Sequence, residues 1–237
     1  MSKRSVEFEI DNDLVVVKRT IYGKYIKRVL DVVLSVFALF ILSPVLIIIS
    51  ILLLIFNGYP LLYKSPRVGL NCKTFLMYKF RSMNEKRDEN GELLPGYMRI
   101  TPIGRFIRAC SIDELPELIN IIKGDMSILG PRPLLVEWNE LYSPRHKMRY
   151  SVLPGLACTR IDGIKSNTWT WREQFESDIY YVEHISFVTD VKMFFAVIKE
   201  VFKHSSSRSD DTRVDFDGTN LDETRTIEEI QADEKLK

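Results

Sequence analysis

Between Val29 and Phe56 the chain reads V-L-D-V-V-L-S-V-F-A-L-F-I-L-S-P-V-L-I-I-I-S-I-L-L-L-I-F, with Asp31 as its only charge. A helix of these residues is apolar on every side, and a run beyond about 18–20 such residues is a candidate membrane segment. At 1.5 Å per residue it would reach roughly 42 Å, against a hydrocarbon core of about 30 Å. Length alone permits a tilted crossing. Two features favour another path. Ser43-Pro44 falls at the midpoint, where proline removes a helical hydrogen bond and a serine hydroxyl can satisfy the freed carbonyl. Both flanks are basic, with Lys18, Arg19, Lys24, Lys27 and Arg28 before the run and Lys64, Arg67 and Lys73 after it. A positive-inside bias then keeps both ends in the cytoplasm. The expectation is a re-entrant helix-break-helix that dips into one leaflet, and a spanning helix with a tolerated proline kink is the alternative. The run lies too far into the chain and is too long for a signal peptide, and no A-x-A-like site follows it, so it is expected to stay in the mature protein.

Charge separates the rest of the chain. The 237 residues carry 33 Lys/Arg and 32 Asp/Glu. Five of the basic and ten of the acidic residues lie from Ser205 onward, which leaves 28 against 22 before it. A near-neutral total thus hides a basic body at +6 and an acidic tail at −5. The tail is poor in aromatics and is expected to be disordered. Cys72, Cys110 and Cys158 form no C-x-x-C spacing, which suits a reduced, cytosol-facing protein. His146, His184 and His204 have no zinc-site spacing.

After the apolar run, residues 60–83 read as two short strands around Gly69-Leu70-Asn71, and the polar stretch from Asn84 to Met98 reads as a loop. T-P-I-G-R-F-I-R-A-C opens a helix with Thr101 as cap and Pro102 at its first position. Ile103, Phe106, Ile107 and Cys110 share an inward stripe, and Arg105 and Arg108 share another face. Arg132 sits between Pro131 and Pro133, so its guanidinium loses less entropy on meeting an oxyanion. Ser186 to His204 is amphipathic, with Val188, Val191, Phe194, Phe195, Ile198, Val201 and Phe202 mainly on one side. Core packing and contact with an anionic membrane are equally served by that face.

The stretch S-I-D-E-L-P-E-L, residues 111–118, sets two adjacent carboxylates before a proline and an apolar run. Ser111 can cap a helix with Glu114 as the partner of a capping box, or Asp113 can be the cap with Pro116 in the first turn. The pair can also do chemistry. A carboxylate can be a covalent nucleophile where arginines, helix-terminal N–H groups or a divalent cation supply positive charge beside it. Arg105, Arg108 and Arg132 are the cations expected to converge on Asp113. Lys27, Arg28 and Asp31 stand where the chain enters the lipid and can hold a phosphate head group or anchor the membrane surface.

An ordered set of motifs now stands in the chain: K-R-V-L-D before the apolar run, Ser43-Pro44 within it, Y-K-F-R-S-M (78–83), T-P-I-G-R-F-I-R (101–108), S-I-D-E-L-P-E-L (111–118), K-G-D-M-S-I-L-G-P-R-P-L (123–134), L-P-G-L (153–156) and D-I-Y-Y-V-E-H-I-S-F-V-T-D (178–190). Together they cover roughly residues 24–203. With them the chain resembles the bacterial sugar transferases of the small monotopic phosphoglycosyl transferase family. The resemblance implies an enzyme of the cytoplasmic (inner) membrane, its catalytic domain facing the cytoplasm, that moves a sugar 1-phosphate from a UDP-sugar to polyprenyl (undecaprenyl) phosphate and releases UMP. It implies Asp113 as covalent nucleophile and Glu114 as its dyad partner, both near Mg²⁺ as the cofactor. It implies Arg105, Arg108, Arg132 and Arg160 on substrate phosphate, and Lys27, Arg28, Asp31, Lys79 and Arg81 on polyprenyl phosphate. Two departures stand out: Ala109-Cys110 where the family commonly has arginine and threonine, and Leu156-Ala157-Cys158-Thr159-Arg160-Ile161-Asp162-Gly163 at and after the end of L-P-G-L, where it often reads tryptophan, alanine, glutamine, valine, asparagine, glycine.

The expected fold class is α+β and helix-rich, with a compact cytosolic domain carrying a small β-hairpin and amphipathic surface helices after the membrane element. The expected boundaries are an N-terminal segment at 1–23, the re-entrant helix at 24–57, a catalytic domain at 58–204 and the tail at 205–237. The expected partners are a UDP-sugar, polyprenyl phosphate and the lipid bilayer; a homodimer and downstream glycosyltransferases are compatible with that set. A non-catalytic membrane adaptor that binds nucleotide sugars or recruits glycosyltransferases is the rival reading. Nucleic acid is not an expected partner, because no RNA motif or recognition-helix pattern accompanies the basic charge.

Overall fold

The computed structural model describes residues 20–94, 96–157, 170–203 and 215–222. A π-helical turn, Tyr22–Ile26, leads into α1, Lys27–Asn57. Strands β1 (Leu62–Val68) and β2 (Thr74–Phe80) follow, then α2 (Gly96–Arg99), α3 (Pro102–Ala109) and α4 (Glu117–Lys123). Strand β3 (Ser127–Leu129), α5 (Pro144–Lys147), β4 (Gly155–Ala157), α6 (Trp171–Glu183) and α7 (Phe187–Lys203) complete the order.

The expected break in the apolar run is not an interruption of the helix: α1 continues through Pro44. The carbonyl that Pro44 leaves without an N–H is that of Phe40, four residues back, and the Ser43 hydroxyl donates to it at 2.8 Å. This side-chain bond offsets the missing backbone one. Along α1, Lys27, Asp31, Ser35, Ile49 and Leu53 are buried, and Ala38, Leu39, Leu46 and Leu52 are partly buried against the body of the protein. That stripe has the period of a helix and runs its full length. The other faces carry exposed Val33, Phe37, Phe40, Ile47, Ile51 and Ile55.

Both ends of α1 are tied to the same body. Near its start, the Arg28 guanidinium donates to the Ile121 and Ile122 carbonyls at 2.5 and 2.9 Å, a cation on the negative end of α4. Lys27 pairs with Asp190 at 2.6 Å, and the Ile128 N–H donates to Asp31 at 3.0 Å. Near its end, Asn57 donates to the Arg81 carbonyl at 2.8 Å, while Arg81 donates to the carbonyls of Asn57 and Gly58. Among the described residues this is one helix long and apolar enough to cross a membrane by length and composition.

The hairpin is as the sequence suggests: β1 and β2 are antiparallel, with Leu62 opposite Phe80 and Val68 opposite Thr74. The free edge of β2 is met by a side chain. Asn120, fully buried on α4, accepts from the Tyr78 N–H at 3.0 Å and donates to the Leu76 carbonyl at 2.7 Å, so its amide does the work of a neighbouring strand. That contact fixes α4, and the residues just before it, beside β2. A second small sheet was not legible in the sequence: β3 and β4 pair in parallel, Ser127 with Gly155 and Leu129 with Ala157. The backbones cross so closely that a Cβ on Gly155 would lie 2.2 Å from the Gly130 nitrogen, which excludes any other residue there.

Helix α3 begins as expected, with the Thr101 hydroxyl accepting from the Gly104 N–H at 3.0 Å and Pro102 in the first turn. Its inward stripe is narrower than expected: Ile107 is buried and Ile103 partly so, but Phe106 and Cys110 are exposed. Gly104 permits the seat, since a Cβ there would come within 1.9 Å of the Ser82 carbonyl. On α7 the residues that face the body are Asp190, Met193 and Val197, while Phe187, Val188, Phe194 and Phe195 are exposed. Of the apolar face read from the sequence, Val188, Val191, Phe194 and Phe195 therefore stay outside the core and Ile198 is half-buried, while the side chains of Val201 and Phe202 lie outside the described residues.

The acidic tail also needs correction. Residues 215–222 are folded onto the body, with Phe216 only 3% exposed in an aromatic cluster containing Tyr142, Trp171 and Phe175. The rest of the expected disordered segment lies outside the described residues, as does the N-terminal segment up to residue 19.

Candidate active site

The dyad sits on neither of the helix caps that the sequence offered. Ser111 adopts a left-handed conformation (φ 58°) without a side-chain cap, Ile112–Glu114 form a single 3₁₀ turn, and Pro116 takes the cap position before α4. This geometry turns both carboxylates inward: Asp113 is 5% and Glu114 9% exposed. Helix-start carboxylates are normally solvated, and burying a charge is costly unless it is paired. Glu114 is paired twice. One of its oxygens accepts from Lys79 Nζ at 2.8 Å and from Arg132 Nη2 at 2.9 Å. Lys79 also reaches Glu117 at 3.3 Å. Burial pushes the Glu117 carboxyl up to about 7, the Lys79 charge opposes that rise, and the Glu114 charge adds to it.

Arg132 is held from behind. Its carbonyl accepts from Arg149 Nη2 at 2.6 Å, and Arg149 pairs with Asp178 at 2.8 Å, both side chains being almost wholly enclosed. Tyr142, Tyr150 and Phe175 surround the Arg149 guanidinium at 5.7–5.9 Å. The prolines on either side of Arg132 and this buried pair together determine where its guanidinium can go. Arg67 of β1 faces the same space. Its burial and the Arg132 charge lower its proton affinity. The three cations line a cavity of about 200 Å³ together with Glu117, Trp138 and Trp171.

Lys79 and Arg132, bridged by the buried Glu114, line this cavity together with Arg67, so their N–H donors can take an anionic diphosphate. Residues 22–204, which carry every one of these groups, match the bacterial sugar transferase family.

The chain belongs to that family.

Its relatives include EpsL, a sugar transferase of Bacillus subtilis, 39% identical over 177 residues that cover 74% of this chain and 87% of EpsL. The UDP-N-acetylgalactosamine-undecaprenyl-phosphate N-acetylgalactosaminephosphotransferase of Aeromonas hydrophila is 32% identical over 78% of this chain and 45% of its own length. The UDP-glucose:undecaprenyl-phosphate glucose-1-phosphate transferase of Caulobacter vibrioides is 34% identical over 70% of this chain and 66% of its own. The chain thus spans about half to two thirds of these two longer relatives.

The transferase brings together part of the expected set. Arg132 meets Glu114, and Lys79 joins that pair rather than the lipid-entry group, with Asp113 buried one position before Glu114. Arg105 is exposed on α3, and Arg108 is half-buried one turn before Ser111. Arg160 lies outside the described residues. The five residues expected on polyprenyl phosphate do not form one cluster: Lys27, Arg28 and Asp31 tie the start of α1 to α4, β3 and α7, and Arg81 ties its end to β2. For a metal, the described residues contain no group of three or more His, Cys, Asp or Glu side chains able to hold an ion. Asp113 and Glu114 offer two adjacent carboxylates, a donor set that suits Mg²⁺ when substrate phosphates supply further oxygens.

Sequence reasoning missed Glu117, Arg67, Arg149 and Asp178. Glu117 carried a signal, since it stands three residues after Glu114 and so lies near the same face of a helical turn. Arg149 carried none, and Asp178 only its place at the head of the 178–190 motif. They are 29 positions apart and meet only because α6 packs against the turn at Met148–Ser151.

Proposed function

We propose that this transferase moves a sugar 1-phosphate from a UDP-sugar to undecaprenyl phosphate and releases UMP. The observation that carries the reading is the buried Asp113-Glu114 dyad, with Glu114 gripped by Lys79 and Arg132 inside the family-matched core. The names of the Aeromonas and Caulobacter relatives supply the substrate classes.

In the first step an Asp113 oxygen attacks the sugar-bearing phosphorus, the bond to the bridging oxygen breaks, and UMP leaves with that electron pair. A phosphosugar-aspartyl anhydride remains. In the second step an oxygen of undecaprenyl phosphate attacks the same phosphorus, the aspartyl bond breaks, and a polyprenyl diphosphate sugar forms while Asp113 returns as carboxylate. Arg132 and Lys79 neutralise the diphosphate, which would otherwise repel the nucleophile. Glu114 holds both cations in place. Mg²⁺, held by Asp113 and Glu114 with phosphate oxygens, would add charge neutralisation at the leaving group.

The acceptor is a lipid, so the site must lie at a membrane surface. Helix α1 is suited to this: both its ends and its whole inner stripe are held by one body, and its other faces are apolar and exposed. A re-entrant or in-plane placement in the cytoplasmic leaflet buries those faces without sending either end across. Exposed Phe106 on α3 and Phe187, Phe194 and Phe195 on α7 extend the apolar surface.

The test is UMP release by the full-length protein in nanodiscs, with Mg²⁺ and undecaprenyl phosphate, across a panel of UDP-sugars. Wild type is expected to release UMP with at least one donor and to show a phosphosugar adduct by intact mass, and Asp113→Asn is expected to fall to background in both. Turnover that survives in Asp113→Asn would overturn the covalent mechanism. Absence of UMP with every donor, from folded and lipid-bound protein, would overturn the reaction.

A further inference from the structure

The family match ends at residue 204, yet residues 215–222 return to the wall of the candidate active site. Phe216 is the anchor, stacked on Tyr142 at 5.6 Å and edge-on to Phe175 at 5.1 Å. The far end is fastened to the first turn of α6, where the Arg172 N–H donates to the Leu221 carbonyl at 2.9 Å and the guanidinium holds Asp222 at 2.8 and 3.0 Å. Between them Asp217 closes a turn by accepting from the N–H groups of Thr219 and Asn220, and Asn220 donates to the Asp215 carbonyl at 2.8 Å. Asp215 is thereby placed in the lining of the cavity that also contains Lys79, Glu117 and Arg132.

The lining of that cavity carries two chemistries. Arg67, Lys79 and Arg132 suit phosphate. Trp171, Gln174 and Asp215 do not: a carboxylate repels phosphate, but it accepts hydrogen bonds from hydroxyl groups, and indole and amide groups beside it suit a sugar ring. At about 200 Å³ the space holds one end of a nucleotide sugar rather than all of it.

We infer that residues 215–222 form a wall of the donor pocket and that Asp215 and Gln174 are donor-binding residues that accept hydrogen bonds from hydroxyls of the nucleotide sugar. This rests on the UDP-sugar reading above. The strap stands outside the matched family core, so donor affinity can change there without altering the dyad. The hydroxyls belong either to the transferred sugar or to the ribose, and the chemistry is the same for both.

The test uses full-length protein in nanodiscs and the fluorescence of Trp138 and Trp171, which line the cavity, during titration with UDP, UDP-glucose, UDP-galactose, UDP-N-acetylglucosamine and UDP-N-acetylgalactosamine. Asp215→Asn keeps the Phe216 anchor and nearly the same shape. Loss of a carboxylate–hydroxyl bond is expected to raise Kd for the preferred UDP-sugar about tenfold, and KM for UMP release similarly, with kcat within about twofold. If the sugar is the source, Kd for UDP alone is unchanged; if the ribose is, UDP weakens equally. Gln174→Leu, on helix α6, gives the same comparison independently of the strap. An unchanged Kd for every donor in both variants would overturn the inference. Wild type that binds a UDP-sugar without releasing UMP would refute the proposed reaction and leave the binding comparison to decide the strap. Failure to bind any UDP-sugar would overturn both.

Discussion

Replacing Arg149 by Met tests the support behind Arg132. The Arg149–Asp178 pair, at 2.8 Å with side chains only 2% and 1% exposed, is the most enclosed ion pair among the described residues. Removing one partner of such a pair leaves the other charge buried, at a cost of about 3–5 kcal/mol. For a chain of this size each kcal/mol moves Tm by roughly 2–4 °C, so Arg149→Met is expected to lower Tm by roughly 6–20 °C in nanodisc-held protein followed by differential scanning fluorimetry. Replacing both partners by apolar residues is often neutral, and Met suits the ring of Tyr142, Tyr150 and Phe175. The double variant Arg149→Met/Asp178→Leu should therefore return to within about 1 kcal/mol of wild type. Activity should not return with it, because the 2.6 Å bond from Arg149 to the Arg132 carbonyl is gone. Loss of a charged hydrogen bond, worth about 1.5–3 kcal/mol, predicts UMP release lower by roughly ten- to a hundredfold. A double variant as unstable as the sum of the single ones, or fully active once stable, would refute the reasoning.

Two further outcomes follow from the geometry. Burial raises the Glu117 carboxyl from 4.5 to about 7, so the folded protein holds that proton more tightly than the unfolded chain. The stabilisation it confers is complete below pH 4.5 and is lost as pH rises through about 7, by at most about 3 kcal/mol. In metal-free buffer, the Tm of wild type relative to Glu117→Gln should therefore fall between pH 5 and pH 8; an equal pH dependence in the two proteins would show that Glu117 does not titrate in that window. For the membrane element, single cysteines placed at Thr20 and at Gly58 should both react with a membrane-impermeant maleimide from the cytoplasmic side only. Opposite-side reactivity would establish a crossing helix instead.

The features legible in the sequence are those governed by neighbours a few positions apart. The apolar run marked α1, and the Ser43 hydroxyl meets the Phe40 carbonyl because proline always orphans the group four residues back. Thr101-Pro102 marked the start of α3, and alternating strands about Gly69 marked the hairpin. Asp113 and Glu114 stood out as adjacent carboxylates beside a helix, and the ordered motifs identified the family. Local rules were insufficient where they competed. Both cap assignments at residues 111–116 satisfied helix-start chemistry, yet the chain adopts a left-handed Ser111 and a 3₁₀ turn instead. That turn lets Glu114 meet Lys79 from β2 and Arg132 from the loop after β3, 35 and 18 positions away.

Only tertiary packing decided the remainder. Asn120 is an unremarkable polar residue on a short helix until the free edge of β2 is laid against it. The apolar side of α7 reads equally as core or as membrane surface; the buried Asp190, bound by Lys27, Tyr22 and Tyr181, turns it outward, because a buried carboxylate with three donors outweighs the burial of a few more apolar groups. The tail is acidic enough to read as unstructured throughout, but Phe216, packed with Tyr142, Trp171 and Phe175, anchors residues 215–222 against the body. Composition averages over such a residue. Whether it finds its partners depends on a cluster assembled from segments dozens of positions apart, and no local pattern in the chain encodes that meeting.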